Sequence, residues 1–410
     1  MKIAIAGYGL EGKANFIYWN KPEHELTIID EREAVENLPE GVPTILGGGS
    51  FGKLIDFEMV VRSAGVAPRK IQTNGKVWSA TNEFFSKCPA PIIGVTGTKG
   101  KGTTSSLITS ILQAGGHKVH LVGNIGTPAL EVLPRITSED IVVYELSSFQ
   151  LWDLEKSPHV AVILPIEPDH LDVHADFDEY FHAKMNIAIE QNEGDVVVYN
   201  KNNEWSRKIA EVSSAGTAIA YPFAIDEFKD SLKIPGVHNQ ENASAAIAAV
   251  RGFVSDVDAI RKGLADFHGL SHRLKFVREV GDVKYYDDSI ATTAGSALAA
   301  INSFEQPKIL LLGGHEKGSD YTELMRRCAE KKVQVITYGA NRHELEKLCA
   351  ENNITCFVNE GDMNSVVMEA ARLAQPGSVV ILSPAAASFD MFKNYADRGN
   401  QFITAVNQLS

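Results

Sequence analysis

Residues 92–104 read Ile92-Ile93-Gly94-Val95-Thr96-Gly97-Thr98-Lys99-Gly100-Lys101-Gly102-Thr103-Thr104, and their pattern indicates the architecture of the central part of the chain. Its apolar, β-branched start predicts a strand. Apolar residues at helical spacing from Leu107 to Leu112 predict a helix after the glycine-rich turn. Such a turn directs backbone N–H groups and the positive end of the helix dipole at phosphate. We therefore predict a nucleoside triphosphate site formed by Gly97, Thr98, Lys99, Gly100, Lys101, Gly102, Thr103 and Thr104.

Within this turn, Lys101 is predicted to reach the β- and γ-phosphates. The hydroxyl that usually follows the lysine and binds Mg²⁺ is missing, because that position is Gly102. Thr103, one residue later, is the natural replacement. The alternative is a glycine-rich turn that contains a lysine by chance, and the strand before it and the helix after it disfavour that alternative.

Composition narrows the class of protein. The chain has 410 residues, 44% hydrophobic and 22% charged, which predicts a globular protein of two or three domains. A net charge of −13 argues against non-specific binding to nucleic acid or anionic membrane. The four cysteines lack metal-ligand spacing, and no apolar run reaches the length of a membrane span. We expect a cytoplasmic protein that does not insert into membranes.

Strand-like runs alternate with helix-like segments along almost the whole chain, the pattern of α/β domains with parallel sheets. We predict three domains: an N-terminal Rossmann-like domain over residues 1–88, a central P-loop ATPase-like domain with a parallel sheet over residues 89–269, and a C-terminal Rossmann-like domain over residues 270–410. The first boundary is placed within the proline-rich segment Cys88–Pro91.

The N-terminal domain carries the fingerprint Gly7-Tyr8-Gly9-Leu10-Glu11-Gly12 between a strand and a helix. A second strand ends in Asp30, about twenty residues further on, where an acid can bind a ribose hydroxyl. The fingerprint alone does not separate NAD from a nucleotide-linked substrate.

Two more polar positions stand at strand ends. The run Ile141–Tyr144 is followed by Glu145, and P-loop enzymes use an acid at this place to hold their metal. In the last domain, polar residues follow several strands, where open α/β sheets bind ligands. A nucleotide-like pocket, an ATP site and a polar strand-end cluster are what an enzyme needs to join two substrates with ATP.

Seven motifs in order along the chain resemble those of the Mur ligase family, in particular its D-glutamate-adding branch. They are Thr96–Lys101 (TGTKGK), Glu145–Leu151 (ELSSFQL), Asp169–Asp172 (DHLD), His238–Ala243 (HNQENA), His272–Leu274 (HRL), Asp288–Thr292 (DSIAT) and Ser383–Asp390 (SPAAASFD). The resemblance implies an ATP-dependent ligase of peptidoglycan precursor synthesis. It would add D-glutamate to UDP-N-acetylmuramoyl-L-alanine through an acyl phosphate, using two Mg²⁺ ions and a carbamylated lysine. We expect it to act as a monomer.

The resemblance also implies roles for single residues. Phosphate and metal would be held by Lys101, Thr103, Glu145, His170 and Lys184, of which Lys184 is the lysine that the family carbamylates; without the family, its helical setting predicts a surface lysine. ATP would also contact Asn239, Asn242, Arg273 and Asp288. The amino acid would be held by Thr292, Lys317, Ser388 and Tyr395. The UDP-muramoyl substrate would contact Leu10, Glu11, Asp30, Arg32, Ser63 and Asn124.

Two departures leave alternatives open. Gly102 gives the loop the form found in folylpolyglutamate synthases, and Ile290 stands where many D-glutamate ligases have a lysine. The added amino acid could therefore differ, for example L-glutamate, or the chain could be a ligase similar to folylpolyglutamate synthase. An NAD-linked oxidoreductase and a catalytically silent nucleotide sensor are further alternatives. The first has no use for the phosphate loop.

Overall fold

The structure, a computed structural model, describes residues 1–124, 128–315 and 319–409. Its first sheet is wholly parallel, with strand order β3-β2-β1-β4-β5. This is the order of a Rossmann-type sheet, in which the chain winds outward from β1 in both directions. The strands are β1 (Lys2–Ala6), β2 (Glu25–Asp30), β3 (Thr44–Leu46), β4 (Met59–Arg62) and β5 (Lys76–Ser79).

The second sheet is also parallel, with order β11-β10-β9-β6-β8-β7. The strand that leads into the phosphate loop, β6, therefore lies in the middle of the sheet between β8 and β9. The strands are β6 (Ile92–Thr96), β7 (Val119–Gly123), β8 (Ile141–Glu145), β9 (Val160–Ile163), β10 (Val196–Asn200) and β11 (Thr217–Tyr221).

The third sheet has order β12-β13-β17-β14-β15-β16. The sequence pattern predicted a parallel sheet, but the first two strands in this order pair antiparallel, so the prediction was wrong for that edge of the sheet. The chain reverses its direction of winding between β14 and β17, where such sheets bind ligands. The strands are β12 (Lys275–Val280), β13 (Val283–Asp287), β14 (Lys308–Gly313), β15 (Gln334–Tyr338), β16 (Cys356–Val358) and β17 (Val379–Leu382).

Helices connect and cover the strands. They are α1 (Leu10–Trp19), α2 (Ala80–Lys87), α3 (Lys101–Ala114), α4 (Ala129–Val132), α5 (Ser148–Leu151), α6 (Phe177–Met185), α7 (Glu204–Val212), α8 (Val237–Val250), α9 (Val257–Asp266), α10 (Ala294–Asn302), α11 (Thr322–Glu330), α12 (Arg342–Glu351), α13 (Met363–Leu373) and α14 (Tyr395–Asn407). The first and third sheets are covered by apolar clusters on both faces. Burial on both faces explains why their central strands are continuous apolar runs. The α/β class predicted from the sequence is confirmed.

The chain forms two compact units. One contains Met1–Ser231 and Gln240–Leu264, which include the first two sheets, and the other contains Leu232–Asn239 and Ala265–Ser410, which include the third. Among the described residues, no helix has the length and apolar character needed to cross a membrane.

Candidate active site

The predicted phosphate loop joins the carboxyl end of β6 to the start of α3. Gly97 and Gly100 have φ angles of +149° and +86°, in the region that favours glycine. A Cβ at Gly97 would lie 2.5 Å from Leu164 Cβ, and one at Gly100 would lie 2.5 Å from Asn242 Oδ1. Backbone conformation therefore favours glycine at both positions, and at Gly97 the close Leu164 Cβ also excludes a side chain. With α3 beginning at Lys101, the loop presents the start of a long helix.

Two lysines share one main-chain oxygen in this loop. Lys101 Nζ donates to Gly97 O at 3.0 Å and to Thr98 O at 2.9 Å, and Lys184 Nζ donates to the same Gly97 O at 2.9 Å. Lys184 lies in the last turn of α6 and is 1% exposed, so the alternative of a surface lysine is wrong. Its burial, and then the charge of Lys101, hold the pKa of Lys184 well below its usual range.

Thr98 fastens the loop to its surroundings. Its hydroxyl lies 2.8 Å from the Tyr180 hydroxyl and donates to Glu167 O at 3.0 Å. Lys99 is exposed at the surface, where its Nζ lies 3.7 Å from a Glu167 carboxylate oxygen. These contacts tie the loop both to α6 and to the segment after β9.

Behind the loop, the first turn of α3 is buried. Thr103 and Thr104 are both buried. Asn242, predicted to contact ATP, lies with its Oδ1 3.3 Å from the Thr104 hydroxyl, so the structure brings it to the loop. Asn239 belongs to the other compact unit, in which its Nδ2 donates to Pro235 O at 2.6 Å.

Glu145 closes β8 and is 3% exposed. Asn124 Nδ2 donates to Glu145 Oε1 at 3.3 Å, which joins a predicted substrate contact to a predicted metal ligand. The negative charges of Asp169 and Glu145 act on the pKa of Lys184 in the direction opposite to burial, since a nearby anion favours the ammonium form. His170 is half-exposed, and its ring centroid lies 5.0 Å from that of Phe149.

A magnesium site built from this chain would be poor in carboxylates. Within the described part of the chain, no group of three or more His, Cys, Asp or Glu side chains could hold a metal ion. Mg²⁺ is commonly held by one or two carboxylates together with substrate phosphates and water. Thr103 and Glu145 are hard oxygen donors of this kind, and a carbamate on Lys184 would add another, so these residues fit Mg²⁺ bound with a triphosphate.

The polar residues of the first sheet also come together at strand ends. Asp30 accepts a hydrogen bond from Tyr8 N at 2.8 Å, and its pairing with Arg32 lowers the pKa of Asp30 to about 2. Glu11 accepts from Ala64 N at 2.7 Å, while burial raises the pKa of Glu11. The Ser63 hydroxyl donates to Gly7 O at 2.7 Å. Leu10 is 78% exposed at the start of α1.

In the third sheet, Asp288 lies directly after β13 and is 6% exposed. It accepts hydrogen bonds from the Ser383 hydroxyl at 2.7 Å and from Leu274 N at 3.0 Å. Burial raises the pKa of Asp288 to about 7. Arg273 is exposed next to Leu274 in the chain, and its charge acts in the opposite direction on the same carboxyl.

The residues predicted to hold an amino acid differ in their exposure. Ser388 is buried, whereas Thr292 and Tyr395, at the start of α14, are exposed. Lys317 lies outside the described residues. The structure therefore places three of these four residues but does not describe a complete set.

Two family models match the parts of the chain that contain the phosphate loop and the third sheet. Residues 95–228 match the Mur ligase middle domain, and residues 272–386 match the Mur ligase, glutamate ligase domain. UDP-N-acetylmuramoylalanine--D-glutamate ligase of Clostridium acetobutylicum is 33% identical over 449 residues, covering 100% of this chain and 96% of that protein. The protein of the same name from Streptococcus thermophilus is 34% identical over 444 residues, covering 100% and 97%. The chain belongs to the Mur ligase family.

A solved Mur ligase has the same fold. The crystal structure of UDP-N-acetylmuramate-alanine ligase MurC from Thermotoga maritima aligns with a TM-score of 0.62 over 99% of both chains, at 15% identity. The family resemblance deduced from the seven motifs is confirmed by the two matched domains and by the relatives.

Two buried residues of this Mur ligase, which hold segments that carry predicted site residues, were not selected from the sequence. Tyr180 is 1% exposed, bonds to Thr98, and has its ring 4.8 Å from Lys184 Nζ. Its position four residues before Lys184, on the same face of a helix, was the available signal. Arg398 is 0% exposed and donates to Ser289 O at 2.8 Å and to Ala386 O at 3.1 Å. Sequence alone offered no sign that this helical arginine is buried.

Proposed function

We propose that this Mur ligase joins D-glutamate to UDP-N-acetylmuramoyl-L-alanine in an ATP-dependent reaction that passes through an acyl phosphate. The observation that carries the proposal is the loop in which Lys101 and the buried Lys184 share Gly97 O at the end of a central strand. Relatives that match the whole chain carry the name of this activity. The reaction would serve peptidoglycan precursor synthesis in the cytoplasm, with the enzyme acting as a monomer.

The three sheets suggest how the substrates are divided. The uridine diphosphate end would bind residues 1–88, where Leu10 and Glu11 begin α1, and Asp30, Arg32 and Ser63 lie at or just after strand ends of the first sheet. ATP would bind residues 89–269, and the amino acid would bind residues 270–410 through Thr292, Lys317, Ser388 and Tyr395. Asn124, which bonds to Glu145, would contact the muramoyl part.

Two Mg²⁺ ions would be held by Thr103, Glu145, His170 and a carbamylated Lys184. When bound, they would neutralise the negative charge that develops as the γ-phosphate is transferred. The carbamate has a physical reason in this site. CO₂ adds to a neutral amine, and burial beside Lys101 lowers the pKa of Lys184 and so favours the neutral form. Addition of CO₂ would release a proton and convert a buried amine into an anion that faces Lys101.

The chain's own residues would act mainly by positioning and charge. Lys101 would bind the β- and γ-phosphates, while Asn239, Asn242, Arg273 and Asp288 would hold the rest of the nucleotide. An oxygen of the substrate carboxylate would attack the γ-phosphorus, and the bond from that phosphorus to ADP would break. The amino group of glutamate would then attack the acyl carbon. Phosphate would leave, an amide bond would form, and one proton would be released.

The amino acid is the least constrained part of the proposal. Ile290 occupies the place of a lysine common in D-glutamate ligases, and it is partly buried directly after Ser289. A missing cation could change which amino acid is accepted. L-glutamate, or a folylpolyglutamate-type acceptor, is therefore the alternative that the assay must include.

The test is ATP-dependent phosphate release by the purified enzyme with Mg²⁺. We expect release to require both UDP-N-acetylmuramoyl-L-alanine and D-glutamate, and mass spectrometry to detect the amide product. L-glutamate, other amino acids and folate-type acceptors form the comparison panel. Lys101→Ala should abolish acyl phosphate formation. Phosphate release that is independent of the UDP substrate, or full activity of Lys101→Ala, would refute the proposal.

A further inference from the structure

A fully buried arginine ends β4. Arg62 is 0% exposed, and a buried guanidinium is tolerated only when its hydrogen bonds are satisfied and its charge is paired. Its Nε donates to Asp153 Oδ2 at 2.7 Å and its Nη2 donates to the other oxygen of the same carboxylate. Nη2 also donates to Phe149 O at 3.0 Å, and Nη1 donates to Ala64 O and Val66 O, each at 3.3 Å. These five hydrogen bonds equal the number of N–H donors that arginine has.

On one side, Arg62 holds the loop that follows β4. The Ala64 peptide is bonded through its carbonyl to Arg62 and through its N–H to Glu11. The preceding residue, Ser63, is bonded to Gly7 O. The loop is thus fastened at several points, and Ser63 and Glu11 are the residues assigned above to the UDP-muramoyl substrate.

On the other side, Arg62 holds the segment that follows β8. Phe149 and Asp153 lie shortly after Glu145, the residue assigned to Mg²⁺. The Phe149 ring packs against His170 and stacks on His174, with centroid distances of 5.0 Å and 5.3 Å. The Arg62 side chain therefore connects the loop assigned to the UDP-muramoyl substrate with the segment that follows Glu145, the residue assigned to Mg²⁺.

We infer that Arg62 is a positioning residue that sets the UDP-muramoyl substrate against the γ-phosphate, by bonding the loop after β4 to Phe149 and Asp153. The inference rests on the proposed function. A lysine cannot replace this arginine, because an ammonium is a single point charge without the planar fork that spans a carboxylate and three carbonyls. Misplacement of a reacting group by about 1 Å can lower a rate by about 100-fold.

The test compares Arg62→Lys and Asp153→Asn with Asn82→Ala as the matched control. Asn82 Nδ2 donates to Asp153 O at 2.8 Å and Asn82 Oδ1 accepts from Glu155 N at 2.9 Å, so Asn82 holds the same segment from α2 and not from the loop after β4. The readouts are kcat, the KM for UDP-N-acetylmuramoyl-L-alanine, the KM for ATP and the melting temperature. Asp153→Asn keeps the shape of the carboxyl group but removes the paired charge, so its melting temperature is measured to show that it is folded under the assay conditions.

We expect Arg62→Lys to lower kcat/KM for the UDP substrate by about 10- to 100-fold while the KM for ATP changes less than about twofold. Asp153→Asn should give a smaller loss in the same direction. Asn82→Ala should lower the melting temperature without this selective loss. If all three variants lose activity only in proportion to their stability, or if the two KM values rise together, the inference is overturned. A wild-type enzyme without ligase activity would instead overturn the proposed function, and the inference with it.

Discussion

The buried carboxyl of Asp288 should make the stability of this enzyme depend on pH. Burial raises the pKa of Asp288 to about 7, whereas a carboxyl of this type in an unfolded chain titrates near about 3.9. Because the folded state binds this proton more tightly, the group stabilises the fold fully below the unfolded pKa. That contribution is lost as the pH rises through the folded pKa. A difference of about 3 pKa units corresponds to about 4 kcal/mol, of which about two thirds is lost between about pH 5 and pH 8.

The perturbation is Asp288→Asn, which resembles the protonated carboxyl in shape. An asparagine can still accept from Leu274 N and donate to the Ser383 hydroxyl, so the folded contacts are kept without a titrating group. We expect the free energy of unfolding of the wild type to fall relative to that of the variant by about 3 kcal/mol between about pH 5 and pH 8. Asp56→Asn, at an exposed position, is the control for the change in net charge.

The assay is urea unfolding of the nucleotide-free protein at several pH values, followed by circular dichroism and analysed as a difference from the wild type. If Asp288→Asn and the wild type change in parallel across this range, the carboxyl is already ionised in the folded state. The reasoning from burial would then be wrong. A difference shown equally by Asp56→Asn would point to net charge instead.

Two further perturbations act on the phosphate loop. Gly97→Ala places a Cβ 2.5 Å from Leu164 Cβ at a φ of +149°. We expect this variant to lose about 1–3 kcal/mol of stability, and calorimetry to detect no binding of Mg-ATP. Wild-type affinity for Mg-ATP would contradict the packing argument. Lys184→Ala should lose ligase activity, and short-chain carboxylates such as acetate should partly restore it by supplying the oxygens of the carbamate. Full activity without added carboxylate would exclude a carbamate, and carbamylated wild-type protein should be detectable by carbon-13 NMR after equilibration with labelled bicarbonate.

The strands identified from the sequence are those buried on both faces. β6 and β8, the strands predicted before the phosphate loop and before Glu145, are buried at every residue, and apolar residues make up most of each strand. The strands that went unnoticed include every sheet edge: β3, β5, β7, β11, β12 and β16. Edge strands such as β7 and β12 are only partly buried, so polar residues interrupt their pattern. Periodicity therefore located central strands in each sheet, but it missed the edge strands and the interior strands β10 and β13.

A similar division applies to the site. The phosphate loop and Glu145 could be predicted because their chemistry depends on neighbours in sequence. Lys184 could be assigned only through the family, since its burial results from contacts with Thr96 and Gly97, about 88 residues away. No local pattern indicated that Arg62 is buried and bonded, because its partners Phe149 and Asp153 follow β8 of the second sheet. Long-range contacts of this kind leave no trace in local spacing.

The hydrogen bonds of Lys101 have a consequence for nucleotide affinity. Its ammonium group is engaged by the carbonyl oxygens of Gly97 and Thr98, so an incoming triphosphate must compete with the peptide backbone for the same protons. The measured dissociation constant would then report an exchange of partners and not a simple gain of contacts. A ligand whose terminal oxygens carry little negative charge should displace these carbonyl oxygens poorly and therefore bind weakly, even if it has the size of a triphosphate. The turn thus selects ligands by the charge of their terminal group.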